Sequence, residues 1–150
     1  MSKEKKSTVY LRSTERSLPI ALLRARETVM EPVREMLLQS QISEQKWRVL
    51  RVVDESGPIE QSTIAKTSCL LLPSLTRIVQ AMETDGLLTR AVDSKDRRKS
   101  IISVTQKGRN LIQEHVAQSN RIFATIEEQL GKTKIGELLD LLEELRQVRI

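Results

Sequence analysis

Apolar residues recur at Leu18, Leu22, Ala25, Val29, Val33, Met36 and Leu37, in steps that place them on one face of a helix. Pro19 falls near the start of this stripe, where a missing N–H costs little. Pro32 falls inside it and predicts a bend. A second helix is expected from Ser43 and Glu44, a capping hydroxyl followed by an acid in the first turn. It turns Val49, Leu50 and Val53 inward and closes at Gly57 and Pro58. A short helix over residues 60–67 follows, with Ile64 and Ala65 inward, then "CLLLP", then a helix from Pro73 to about Asp85 that Gly86 ends. Two short helices across a tight turn form a helix-turn-helix.

Past Gly86 the pattern changes. "LLTRAV" and "SIISV" read as two short strands joined by "DSKDRRK". That loop lacks the Asn-Gly signature of a tight turn, so a longer, mobile tip is expected. Thr105 then caps a long helix with apolar spacing at Ile112, Val116, Ser119, Phe123, Ile126 and Leu130, the near-heptad stripe of helices that pack lengthwise on partners. After Gly131 a last helix carries Ile135, Leu138, Leu142 and Leu145. The predicted fold is mainly α with a small β-hairpin wing: a winged helix-turn-helix with N- and C-terminal dimerisation helices. Its segments are a basic tail over 1–16, an N-terminal helix over 17–42, the winged helix-turn-helix over 43–105 and the C-terminal dimerisation helices over 106–150.

Composition narrows the function. Hydrophobic residues make up 39% of the chain, but Trp, Tyr and Phe occur once each, so the core must be aliphatic. Single-stranded nucleic-acid readers need aromatic platforms, and these are missing. A net charge of +5 favours a polyanionic partner. One cysteine, Cys69, excludes an internal disulfide framework and fits a reducing, cytoplasmic setting. The first sixteen residues show no apolar signal-peptide core, and no run is long enough to span a membrane. Catalysis lacks its parts: His115 has no second histidine to work with, and "GKT" at 131–133 has Ile126 where a phosphate loop needs glycine. His115 is therefore expected on a helix surface, and neither cofactor nor metal is expected.

The remaining polar groups point to double-stranded DNA. In the second short helix Leu75, Ile78, Val79 and Met82 share one face, while Pro73 and Arg77, flanked by Ser74 and Thr76, stand opposite near its N-terminus. A recognition helix reads a major groove with such N-terminal residues, Arg by paired bonds to guanine and Ser or Thr at base edges or phosphates. Any amphipathic surface helix also has a wet face. The hairpin adds weight, because residues 90–99 carry Arg90, Lys95, Arg97, Arg98 and Lys99 against only Asp93 and Asp96. A cationic finger suits a narrow minor groove. Asp96 is placed to hold the Arg98 guanidinium through a paired hydrogen bond; an exposed ion pair without further role is the alternative.

The stretch "PSLTRIVQAMETDGLLTRAVDSKDRRKSIISVTQKG" resembles the MarR family of winged-helix regulators, whose D-x-R wing signature is met by Asp96 and Arg98 and whose closing pair is met by Val104 and Thr105. "SLPIALLRARE", "SEQKWRVLRVV" and "CLLLPSLTRIV" are similar to its homoprotocatechuate-operon branch. The resemblance implies a homodimer on a pseudo-palindromic operator, a repressor of an aromatic-catabolism operon released by a small phenolic or carboxylate ligand. It matches Pro73, Ser74 and Arg77 to base-facing positions and Arg98 to the minor-groove arginine, with Thr76, Lys95, Asp96, Arg97 and Lys99 beside them. It also implies a ligand site among the first, second and long helices, for which Ser17, Leu18, Leu22, Arg26, Trp47 and Arg51 are the candidates. Arg26 lies on the apolar face of its helix, where a bound carboxylate or an ion pair at the dimer interface would satisfy it. Trp47 is most simply a core residue. Cys69, beside three leucines, is expected to be a buried filler rather than an oxidant sensor. A helical adaptor that binds protein and not DNA is the competing function; it leaves the basic hairpin unexplained.

Overall fold

A computed structural model describes Leu11 and residues 13–150; of the tail predicted over 1–16, Lys3, Lys5, Lys6 and Arg12 lie outside these residues, and Thr14–Arg16 form a single 3-10 turn. The chain divides into two compact units, residues 1–32 and 33–150. Helix α1 (Leu18–Leu37) runs through the division, so Pro32 does not end it. In the smaller unit the side chains of Leu18, Leu22 and Leu23 are exposed. The stripe predicted to be buried is buried only from Val33, Met36 and Leu37 onward.

The larger unit continues with α2 (Glu44–Ser56), β1 (Ile59–Glu60), α3 (Gln61–Thr67), α4 (Leu72–Thr84), β2 (Leu88–Val92), β3 (Ser100–Val104), α5 (Gln106–Leu130) and α6 (Lys132–Arg146). Ser43 caps α2 by accepting from the Lys46 N–H at 3.1 Å, and Gly57 ends that helix with φ +71°, a conformation that glycine adopts without Cβ strain. Thr105 caps α5 by accepting from the Gly108 N–H at 3.0 Å. The same hydroxyl donates to the Gly86 carbonyl at 2.6 Å, tying the start of the long helix to the start of the hairpin.

The sheet has three antiparallel strands in the order β1-β3-β2, one more than the hairpin predicted. Leu88 pairs with Val104 and Val92 with Ser100, while β1 pairs Ile59 with Ile102. Two residues are too short to display an alternation, which is why β1 is invisible in the sequence. The core is aliphatic as composition required: Met36, Leu37, Leu50, Val53, Ile64, Leu75, Val79, Met82, Leu88 and Ile102 are fully buried. No described helix is long and apolar enough to cross a membrane.

Candidate nucleic-acid interface

Helices α3 and α4 meet through a four-residue turn, Ser68 to Leu71. The Leu70 N–H donates to the Ala65 carbonyl at 2.9 Å, and Arg48 Nη1 donates to the Ser68 carbonyl at 2.8 Å, so the turn is braced from α2. Cys69 occupies the left-handed region at φ +55° and is exposed. It is not the buried filler expected from its leucine neighbours; the turn carries it outward, and Leu71 is exposed beside it. Along α4, Leu75, Val79 and Met82 face the core. Pro73, Arg77 and Gln80 are exposed, and Ser74 and Thr76 are half-buried on the flanks.

The wing tip spans 93–99. It is longer than a tight turn, as expected, and carries specific internal bonds: the Asp93 N–H donates to the Lys99 carbonyl at 3.0 Å and the Lys99 N–H to the Asp96 carbonyl at 3.0 Å. Asp96 holds Arg98 three ways. It accepts from the Arg98 backbone N–H at 3.0 Å, from Nε at 3.1 Å and from Nη2 at 3.2 Å. The Arg98 side-chain bonds, then its backbone N–H, hold the Asp96 carboxyl below its ordinary 3.8, against a smaller opposing effect of burial. Nη1 stays uncommitted, and the Arg98 side chain is 91% exposed.

A crevice of about 180 Å³ joins the two features, with Gln61, Ser62 and Thr76 on its helical side and Arg98 and Lys99 on its wing side. Glu60 also lines it, 3.7 Å from the Lys99 ammonium and accepting from the Ser62 hydroxyl at 3.0 Å. Lys99 is thus partly neutralised by Glu60, as Arg98 is by Asp96, and what Arg98 presents at the tip is its exposed Nη1 end. Lys95 and Arg97 are exposed there too. Gln61 lies on the crevice wall and Gln80 on the exposed side of α4, and neither was expected from the sequence. Gln80 could have been found by its one-turn step from Thr76 along the exposed face; Gln61 could not, since only the packed turn brings α3 against α4.

The ligand candidates divide. Ser17, Leu18, Leu22 and Arg26 lie in the smaller unit; Arg26 is an exposed residue 3.9 Å from Glu27, so no cation is buried at that position. Trp47 and Arg51 lie in the larger unit and line one cavity of about 160 Å³ between α2 and α5. Asp54, Ile112, Val116 and Ser119 complete much of its wall. The Arg51 guanidinium sits 5.8 Å from the Trp47 ring centre and 2.7 Å from Glu55. His115 is buried, not on the surface: its Nε2 is 2.7 Å from the Ser40 hydroxyl, and its ring meets Trp47 edge-on at 5.6 Å. A seven-residue frame through Ile112 and Ser119 puts position 115 on the same inward side, a signal visible in the sequence and overlooked.

A helix-turn-helix packed with a three-stranded antiparallel sheet, two of whose strands form a hairpin with a basic tip, defines the winged-helix class. The chain belongs to the MarR family, whose sequence profile matches residues 42–100. It is 39% identical over 128 residues to the homoprotocatechuate degradative operon repressor of Escherichia coli, covering 85% of this chain and 86% of the relative. NadR, solved in complex with 4-hydroxyphenylacetate, is 35% identical with a TM-score of 0.81, over 94% of this chain and 100% of that one. CouR, solved on a 23-mer DNA duplex, is 27% identical with a TM-score of 0.74, over 94% and 100% of the two chains.

Proposed function

We propose that this chain is a cytoplasmic, homodimeric repressor that binds double-stranded DNA and leaves it when a small aromatic carboxylate or phenol occupies the α2–α5 cavity, so controlling an aromatic-catabolism operon. One observation carries the DNA reading: Leu72 and Thr76 in the first turns of α4 line a single crevice with Arg98 and Lys99 of the wing, so the start of the recognition helix and the wing lie close enough for one duplex to engage both. Pro73, Ser74, Thr76 and Arg77 then face the major groove, and Arg98, fixed by Asp96, enters the minor groove with Lys95, Arg97 and Lys99 near phosphates. The DNA complex of CouR and the ligand complex of NadR support the two halves of the proposal.

The cavity suits the ligand class. Trp47 offers a ring wall, and Arg51 a guanidinium whose present partner is Glu55. Glu55 engages only Nη2, so the remaining N–H groups of Arg51 can donate to an incoming carboxylate, against the repulsion of Asp54 and Glu55 on the same wall. Ligand and operator are linked reciprocally: a ligand that weakens DNA binding must itself bind the DNA-bound protein less well.

A mobility shift on upstream DNA, repeated across salt and with a panel of aromatic acids, tests this. With several phosphate contacts, affinity should fall by orders of magnitude between about 50 and 200 mM salt as counterions are released. Arg77→Ala should lose about 1–3 kcal/mol of base discrimination. Arg51→Ala should leave DNA affinity intact and blunt release by the acids. Salt-independent binding, or unchanged base preference in Arg77→Ala, would count against the reading.

A further inference from the structure

We propose that Thr76 is a specificity-determining residue that reads a thymine through its methyl group, and that Gln61 is the positioning residue that, together with the Leu72 carbonyl, holds the Thr76 hydroxyl away from the bases. The inference deepens the DNA-binding reading and rests on it.

A threonine hydroxyl has one proton to donate and two lone pairs. In this structure Thr76 Oγ1 donates to the Leu72 carbonyl at 3.0 Å and accepts from Gln61 Nε2 at 2.6 Å. A carbonyl can only accept, so the proton is committed to Leu72. Both bonds hold together only when the Gln61 amide presents its NH₂, which fixes the orientation of that side chain. Thr76 therefore has no donor left. What it still offers is a methyl group and one lone pair.

That remainder discriminates among bases. Guanine shows two acceptors, N7 and O6, to the major groove, and a side chain without a proton cannot satisfy either. Thymine shows a methyl group, which an apolar contact matches. Thr76 lines the crevice with Arg98 and directly precedes Arg77 along α4. The two residues divide the work: Arg77 has donors for guanine, and Thr76 selects the methyl-bearing base.

Gln61 enforces this from outside the recognition helix. It is the first residue of α3, and its amide reaches across the turn to Thr76. Without it only the bond to the Leu72 carbonyl holds the hydroxyl in place, and giving up that one bond is enough to turn the proton toward a base. Removing Gln61 should therefore relax rejection of guanine at that position rather than weaken binding to all sequences equally.

The experiment uses the full chain and a duplex selected from a random pool by the wild-type protein. Each thymine of a half-site is replaced by deoxyuridine, which deletes only the methyl. One position should lose about fourfold in affinity per half-site, the worth of one buried methyl. Thr76→Val, which keeps a methyl and lacks the hydroxyl, should retain that sensitivity; Thr76→Ser should abolish it. Gln61→Ala should narrow the gap between the selected duplex and one with guanine at the same position. The inference is overturned if no thymine is sensitive, if Thr76→Ser keeps the sensitivity, or if Thr76→Val loses binding while Thr76→Ser does not. A wild-type protein that binds no duplex would instead sink the DNA reading beneath it, a separate and recognisable result.

Discussion

At the scale of single residues the wing turns on Asp96. Its carboxylate accepts from the Nε–Nη2 edge of the Arg98 guanidinium and from the Arg98 backbone. Asp96→Asn keeps an acceptor for the backbone bond and removes the charge that holds the guanidinium. The substitution also removes a negative charge from a basic tip, so electrostatic attraction to any duplex should rise while preference for the operator falls. A competition shift with operator and scrambled duplex reads both, and unchanged preference would show that the fork is ornamental. The pH dependence has a definite sign. A carboxyl whose folded value lies below the ordinary 3.8 keeps its stabilising bonds at all higher pH and loses them only as pH falls through the lowered value. The Asp96 carboxyl carbon resonance in an NMR titration should show that displacement, and Arg98→Ala should return it toward 3.8. The Asp96–Arg98 spacing was legible in the sequence because a two-residue step brings the groups together whatever the rest of the chain does. Gln61 and Thr76 are fifteen positions apart, and nothing local joins them.

At the scale of elements, the order helix, helix, hairpin, long helix was legible from periodicity and from punctuation by Gly57, Gly86, Thr105 and Gly131. What escaped was set by tertiary pairing: β1 exists because Ile59 and Glu60 find Ile102 and Ile101, and His115 is buried because Ser40 and Trp47 close over it. Gly108 is a further case. It sits in the first turn of α5, where helix propensity alone would favour alanine by about 1 kcal/mol. A Cβ there would stand 2.6 Å from the Leu87 carbonyl oxygen, 2.7 Å from Val104 Cγ2 and 3.2 Å from Leu50 Cδ1. Backbone cannot yield as a flexible side-chain end can, and overpacking typically costs about 1–3 kcal/mol or more. Sterics should win over propensity. Gly108→Ala should lower the melting temperature by several degrees, about 2–4 °C per kcal/mol at this size. A melting temperature equal to or above wild type would show that the α5–hairpin junction has room to open.

At the scale of the whole molecule, the apolar surface left uncovered calls for a partner. Helix α6 contains no buried residue, although Leu138, Leu139, Leu141 and Leu145 all lie on it, and Phe123 and Leu130 are exposed on α5. A fifteen-residue helix of this kind gains little from folding alone, since isolated helices of that length are marginal in water. A second copy of the chain, pairing like faces about a two-fold axis, would bury these leucines and set two recognition helices about 34 Å apart. The DNA consequence then follows from linkage: once one half-site is bound, the second binds intramolecularly, and avidity gains of roughly 10²–10⁴ depend on both being in reach. Leu138→Glu with Leu145→Glu should therefore yield a monomer in sedimentation velocity and lose operator affinity by about that factor, although neither residue belongs to α4 or the wing. Inserting about half a duplex turn between the half-sites should do the same to the wild-type protein, because it rotates one half-site to the far side of the duplex. If the double variant stayed dimeric, or if the monomer bound the full operator as tightly as the wild type, the exposed leucines would have another purpose and each recognition helix would act alone.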